Sequence, residues 1–500
     1  STQGSWNGSQ KVTFFRTEFK KKESVEKAIL SVSATSTESS RQYVYNMYVN
    51  GTEIGVGPAR QNGSELYYDT YDVTEYLNEG TNVLGAIAYS EKSAGFLCQL
   101  TYYMTDGTRK VITNSGKNRN AWKCKGGDSA YIGGNSGSIG TGYYVARQDN
   151  LDASAFPYGW NTAGYNADSW NIMQNSNSMN GYSFVPSETE TMKRHEVIPQ
   201  SVTYKDGTYL IDFGKEIIGS LQLNINSSAA KITLEYGEEL DESGNAKYVL
   251  NTRNKYQESW NLKNGEQKLS GIGMKTFRYV TVRNYPMTLS VENVTGLALY
   301  QEFDEDASSF ASSNNVLNDV YNLSRHTSKV NGQVLYVDSQ NRERGAYEGD
   351  ALITALNNYT YGHTPASSKY TAEWLLDNTT WPAEYSMYNI ILIYQNYLET
   401  GDLRTLDQSY KKLKNKTLEQ YYDSSAGLMK KVEDTASRQK IIVDWPASNR
   451  DGYNMTDSYY NTVFNAACVG GYESMAKIAE ALGYEGDVSY YQTLSDTIKQ

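Results

Sequence analysis

Cysteine and histidine are both scarce in this chain, with three of each among 500 residues. Cys98, Cys124 and Cys468 allow at most one internal disulfide. Cys98 and Cys124 fall in one expected domain and could pair, although free buried thiols are the preferred reading. So few histidines argue against a histidine-based metal site. Only His195 is followed by Glu, and no HExxH pattern forms. Long apolar runs are missing too. The longest, Ile390-Ile391-Leu392-Ile393, lies in a helical pattern and reads as core, far short of the roughly 20 residues that span a bilayer. No basic, apolar leader opens the chain, so any signal peptide is expected to be absent or already removed. A net charge of −11 argues against nucleic acid, whose phosphates call for clustered Lys and Arg.

Aromatic residues, by contrast, are plentiful. Forty-four tyrosines and eight tryptophans each join a flat apolar face to a polar handle. Sugars present C–H patches and hydroxyls together and suit such faces. β-rich proteins full of Asn, Ser and Gly are also rich in tyrosine, so the count alone decides nothing.

Five hundred residues are too many for one core, and two to four domains are expected. The first 300 or so alternate with period two. Tyr43-Val-Tyr-Asn-Met-Tyr-Val-Asn50 runs into Gly51, and Asn50-Gly51 is a strong hairpin signal. An Asn/Ser/Gly-rich stretch at 175–182 reads as a loop before a second β unit, which includes the runs 209–214, 219–225, 231–236 and 277–283. After Asp304 the period becomes about 3.6. Ser312-Ser-Asn-Asn opens a capped helix, and helical patterns follow at 350–361, 367–377, 383–400, 403–422, 458–482 and 488–500. The expected domains are 1–185, an accessory β-sandwich that either binds carbohydrate or only braces the rest; 186–303, a second β-sandwich; and 304–500, a stack of helical hairpins. No fixed-period repeat is evident.

One stretch gathers charge: Asp338-Ser-Gln-Asn-Arg-Glu-Arg-Gly-Ala-Tyr-Glu-Gly-Asp350. It follows the apolar Val334-Leu-Tyr-Val337 and precedes a helix. Cleaving a glycosidic bond needs one carboxyl to protonate the leaving oxygen and another to activate water. Neighbouring acids and burial favour the protonated donor, whereas adjacent arginines hold a carboxylate ionised and oriented. From spacing alone, a solvated charge network capping a helix is the favoured reading.

The ordered pattern of Asp338, Arg342-Glu-Arg-Gly345, Tyr347 and Gly349-Asp350 resembles the signature of the bacterial α-L-rhamnosidases, glycoside hydrolase family 78. The resemblance extends over nearly the whole chain, through Tyr48-Val-Asn-Gly-Thr-Glu-Ile-Gly55, Phe156-Pro-Tyr-Gly-Trp160, Leu210-Ile-Asp-Phe-Gly-Lys-Glu216, Thr400-Gly-Asp402 and Val443-Asp-Trp445. It implies an (α/α)6 six-hairpin barrel after the β-sandwich domains, and removal of terminal α-L-rhamnosyl groups with inversion. By the same resemblance Glu343 is the general acid. Asp338, Arg342 and Asp350 bind the sugar hydroxyls, and Tyr347 stacks on the sugar where many members have tryptophan. Trp381, Asp444 and Trp445 are further candidate pocket walls. The partner implied is a rhamnose-containing oligosaccharide, polysaccharide or glycoside, met outside a bacterial cell or on its surface; a cytoplasmic place is the alternative. No cofactor is implied. A calcium ion is compatible with such β-modules, but no loop carries a run of acidic ligands.

The sequence departs from the family pattern at Ser339-Gln340, where Cys-Pro is common, and at Tyr347. No position matches the family's water-activating glutamate, which is therefore expected beyond Gln500. A ring of twelve helices needs upwards of about 200–250 residues, and fewer than 200 follow Asp304. Two alternatives stay open: another six-hairpin glycosidase, of the unsaturated-uronyl type, or a non-catalytic carbohydrate-binding protein. The oligomeric state is not legible.

Overall fold

The computed structural model describes residues 4–35, 41–91, 94–117, 121–133, 139, 141–362, 364–432, 440–443, 446–455 and 459–500. It divides into two compact units. One comprises Ser1–Glu302 together with Ser339–Arg344; the other comprises Phe303–Asp338 and Gly345–Gln500.

The first unit is β throughout, with a seven-stranded and a fifteen-stranded sheet among the described residues. Alternation explains how the sheets share two cores. In the strand Val12–Lys21, Val12 and Phe14 enter one core, where Phe14 packs edge-on to Trp160 at 5.2 Å. Phe15 enters the other, stacked on Phe96 at 4.9 Å. Its neighbour Gly80–Tyr89 divides likewise: Ile87 and Tyr89 to the first core, Leu84, Ala86 and Ala88 to the second.

The Asn50-Gly51 signal marks a true hairpin. Both residues have positive φ, +49° and +88°, between the strands Tyr45–Val49 and Thr52–Gly57. Gly57 leaves room that any side chain would fill, since a Cβ there would lie 2.0 Å from the Asp69 carboxylate.

Two expectations change. The stretch 175–182 is no free linker: Gln174–Ser176 pairs with Gly4–Trp6, Met179 is buried, and Ser183–Pro186 joins Glu65–Asp72 in parallel. Backbone pairing needs no apolar side chains, so the composition hid it. The runs 209–214 and 219–225 form one strand, Thr208–Ser227, whose register shifts between Asp212 and Ile217 beside Gly214 at φ +74°.

The second unit has seven helices among the described residues: α1 Asn315–Asn331, α2 Glu348–Tyr361, α3 Pro365–Asp377, α4 Tyr385–Thr400, α5 Leu403–Lys414, α6 Thr462–Leu482 and α7 Glu485–Lys499. Side-chain caps set several starts: Asn314 accepts from the Val316 amide, Asp402 from Arg404 and Asn461 from Phe464. The α5 pattern was expected to run to 422 but stops at Lys414. Leu418 is left-handed, and the chain then turns through Glu419–Tyr421 into a small ribbon of Tyr422–Asp423 with Leu428–Met429. Ile390, Leu392 and Ile393 of α4 are fully buried, as core. Among the described residues no helix is long and apolar enough to cross a membrane. All three cysteines are buried free thiols.

Candidate active site

The charged stretch begins from a firm anchor. Val334, Leu335, Tyr336 and Val337 are buried in the helical unit, where the Tyr336 hydroxyl meets Asn358 of α2 at 2.7 Å and Ser368 of α3 at 3.0 Å. The next residue closes a neck. Asp338 N–H donates to the Gly345 carbonyl at 2.8 Å, and Gly345 N–H donates to Asp338 Oδ1 at 2.9 Å. The six residues between them form a loop with no helix or strand.

At the loop's tip Glu343 is 5% exposed, and its carboxylate is paired with the guanidinium of Arg342, whose side chain is 44% exposed. Partial burial pulls the Arg342 pKa down, and the Glu343 carboxylate and Tyr143 hydroxyl together more than offset it, so the net shift is upward. The guanidinium also lies 5.8 Å from the centre of the Tyr143 ring. Arg344, next in line, is wholly buried.

In the helical unit Tyr347 is the N-cap of α2, and Glu348 and Asp350 occupy its first turn, where the helix dipole favours negative charge. Glu348 is fully buried and accepts from the amide and hydroxyl of Thr380, with Lys416 3.9 Å away. Burial pushes the Glu348 carboxyl up, against Thr380 and Lys416, and pushes the Lys416 ammonium down. A Cβ on Gly349 would lie 2.7 Å from the Tyr385 ring, so glycine lets that ring approach the start of α2. Burial, then the Asp350 carboxylate, raises the Tyr385 hydroxyl. Trp381 is half-buried and directly follows Thr380, which ties its loop to α2. Glu384 is buried; its Oε1 accepts from the amides of Ile442 (3.1 Å) and Val443 (3.0 Å), and burial raises its carboxyl. Asp444 and Trp445 lie outside the described residues.

Three family models cover most of the chain. Residues 27–196 match the α-L-rhamnosidase N-terminal domain, and 202–300 match the bacterial α-L-rhamnosidase concanavalin-like domain. Residues 305–500 match the bacterial α-L-rhamnosidase six-hairpin glycosidase domain. The chain belongs to the bacterial α-L-rhamnosidase family. A curated α-L-rhamnosidase of Formosa agariphila is 24% identical over 430 residues, covering 75% of this chain and 44% of that protein. The structure of the family 78 rhamnosidase of Bacillus sp. GL1 superposes with a TM-score of 0.80 at 13% identity, covering 100% of this chain and 76% of that one. The Streptomyces avermitilis α-L-rhamnosidase solved with L-rhamnose gives a TM-score of 0.75 at 19% identity, covering 98% and 48%. These likenesses establish the fold: β domains followed by the six-hairpin α-domain. The chain spans about half the length of the curated relatives it matches.

Within its own unit the structure brings Arg342 and Glu343 together, and in the other it gathers Tyr347, Asp350, Thr380, Trp381 and Tyr385. Asp338 has a structural duty in addition to the sugar contact expected of it, because its Oδ1 closes the loop's neck. The sequence reading passed over Glu348, Glu384 and Tyr385 as site-shaping groups. Glu348 stood inside the charged stretch and showed a signal. Glu384 and Tyr385 showed none, since Gly349, Asp350, Ile442 and Val443, which they meet, lie 35 or more residues away in the chain.

Proposed function

We propose that the chain carries the acid side of an α-L-rhamnosidase, an inverting glycoside hydrolase that removes terminal α-L-rhamnosyl groups from glycans or plant glycosides. The observation that carries this is Glu343, a nearly buried carboxyl oriented by Arg342 in a loop of family-specific sequence. Glu343 gives its proton to the glycosidic oxygen as the bond from the anomeric carbon breaks, and water attacks from the opposite face. Asp338, Arg342 and Asp350 bind the rhamnose hydroxyls, Tyr347 stacks against the ring or its methyl group, and Trp381, Asp444 and Trp445 wall the pocket. No water-activating base is assigned, and no cofactor is invoked. A place outside the bacterial cell or on its surface suits such substrates.

The test pairs an aryl α-L-rhamnoside with an aryl uronide, with the anomer of the released sugar read by NMR. The expected result is inverted rhamnose from the first and nothing from the second. Glu343→Gln should lower turnover by about 10²–10⁴-fold while sugar binding persists. Turnover of the uronide alone would replace this reading with a uronyl hydrolase. Binding without turnover of either substrate would leave a carbohydrate-binding protein.

A further inference from the structure

Six successive carbonyls, from Ser339 to Arg344, each accept a hydrogen bond. Ser339 O takes the Arg344 amide at 3.1 Å and Gln340 O takes Arg344 Nε at 2.9 Å. Asn341 O takes both the Tyr144 hydroxyl at 2.8 Å and Asn254 Nδ2 at 2.9 Å. Arg342 O takes the Thr141 hydroxyl, Glu343 O takes Arg41 Nη1 at 2.5 Å, and Arg344 O takes Arg60 Nη2 at 3.2 Å. A loop outside regular structure has no ladder to satisfy its backbone, and here side chains of the first unit take over that task. Backbone in this state is fixed in direction.

Arg344 sits at the centre of the arrangement. Its residue has φ +50°, in the left-handed region, and its side chain is fully buried. The guanidinium lies over the Tyr144 ring at 4.2 Å from its centre and donates to the carbonyls of Gln340 and Met274. Met274 is itself held in place, because the next residue, Lys275, forms a buried ion pair with Glu258 at 2.6 Å. Only a planar, forked cation can stack on a ring and donate in two directions at once. Asn254, also fully buried, links Tyr144 to the same loop by donating to the Tyr144 hydroxyl at 3.0 Å.

We infer that Arg344, Tyr144 and Asn254 are positioning residues for Glu343: they fix the Gln340 and Asn341 carbonyls just ahead of it, with Arg344 itself the residue that follows it, and so aim its carboxyl. The β unit thereby serves the reaction through the acid's backbone. This rests on the acid role proposed for Glu343. Misplacement of a reacting group by about 1 Å can lower turnover about 10²-fold, so the effect should fall on kcat.

Tyr144→Phe keeps the ring under Arg344 and removes two hydrogen bonds, the one donated to Asn341 O and the one accepted from Asn254. Arg344→Lys keeps the charge and removes the fork. The purified protein and both variants are compared by rhamnoside kinetics, thermal melting and hydrogen–deuterium exchange of peptides covering 339–345. Expected are a kcat lower by about tenfold for Tyr144→Phe and about 10²-fold for Arg344→Lys. KM should stay within about twofold, and exchange at 339–345 should quicken about tenfold or more while the sheets stay protected. Faster exchange with unchanged kcat overturns the inference, as does unchanged exchange. Should Arg344→Lys fail to fold, Tyr144→Phe decides the matter. A wild-type protein inactive on rhamnosides would defeat the function reading, and exchange at 339–345 would then decide by itself whether these side chains hold the loop.

Discussion

Val334-Leu-Tyr-Val337 and Ser339–Arg344 are separated in the chain by Asp338 alone, and neither belongs to a helix or strand; the first is buried throughout and the second at Gln340, Glu343 and Arg344. They are held by different physics. The first is fixed by apolar side chains packed in the helical unit, with the Tyr336 hydroxyl satisfied by Asn358 and Ser368. In the second, side-chain donors of the β unit reach the backbone carbonyls. Apolar burial is non-directional and scales with area. A hydrogen bond to a carbonyl has a direction and a short reach. Damage to the first stretch should therefore register as lost stability, and damage to the second as lost turnover.

The largest expected effect breaks the apolar anchor. Tyr336→Ala should destabilise the helical unit by about 3–5 kcal/mol, the range for emptying a buried aromatic site, measured by urea unfolding. An equal loss in a variant of the loop's donors would erase the contrast. Asp69 sharpens it from another side, as a polar group buried where its charge is unwelcome. Burial raises its carboxyl to about 7, against the Tyr45 hydrogen bond that lowers it. The stability this contributes is whole below the ordinary carboxylate range near 4 and is lost as pH rises through about 7. A shift of that size corresponds to at most about 4 kcal/mol. Asp69→Asn, which can still accept from Tyr45, should flatten the fall in melting temperature between about pH 4 and pH 8 relative to wild type.

Tyr336→Phe keeps the packing and strips the hydroxyl from Asn358 and Ser368, so a loss of about 1–2 kcal/mol is expected in the same urea assay, with KM for rhamnoside unchanged. The smallest effect belongs to the loop's rim. Thr141→Val removes the donor to Arg342 O at an exposed position, and should lower kcat by less than about tenfold with no measurable change in melting.

Much of this was legible in the residues. The Asn50-Gly51 turn, the change of period after Asp304 and the ordered charges of 338–350 each depend on neighbours in sequence, where side-chain type dictates local geometry. The loop's anchorage was not legible. Arg41, Thr141, Tyr144 and Asn254 reach it across 87 to 302 residues, and no periodicity records such a meeting. Arg344 shows the difference. Beside Glu343 in sequence it reads as a counter-ion for the acids, while in the structure its fork holds the carbonyls of Gln340 and Met274. The stretch 175–182 escaped for a related reason, because strand pairing through the backbone leaves composition silent.

The strand Val12–Lys21 sends Phe14 into one core and Phe15 into the other. The two cores share that wall, so opening one strips backing from its neighbour. The β half of the chain is therefore expected to melt as one cooperative block, its two sequence-defined domains giving a single calorimetric peak.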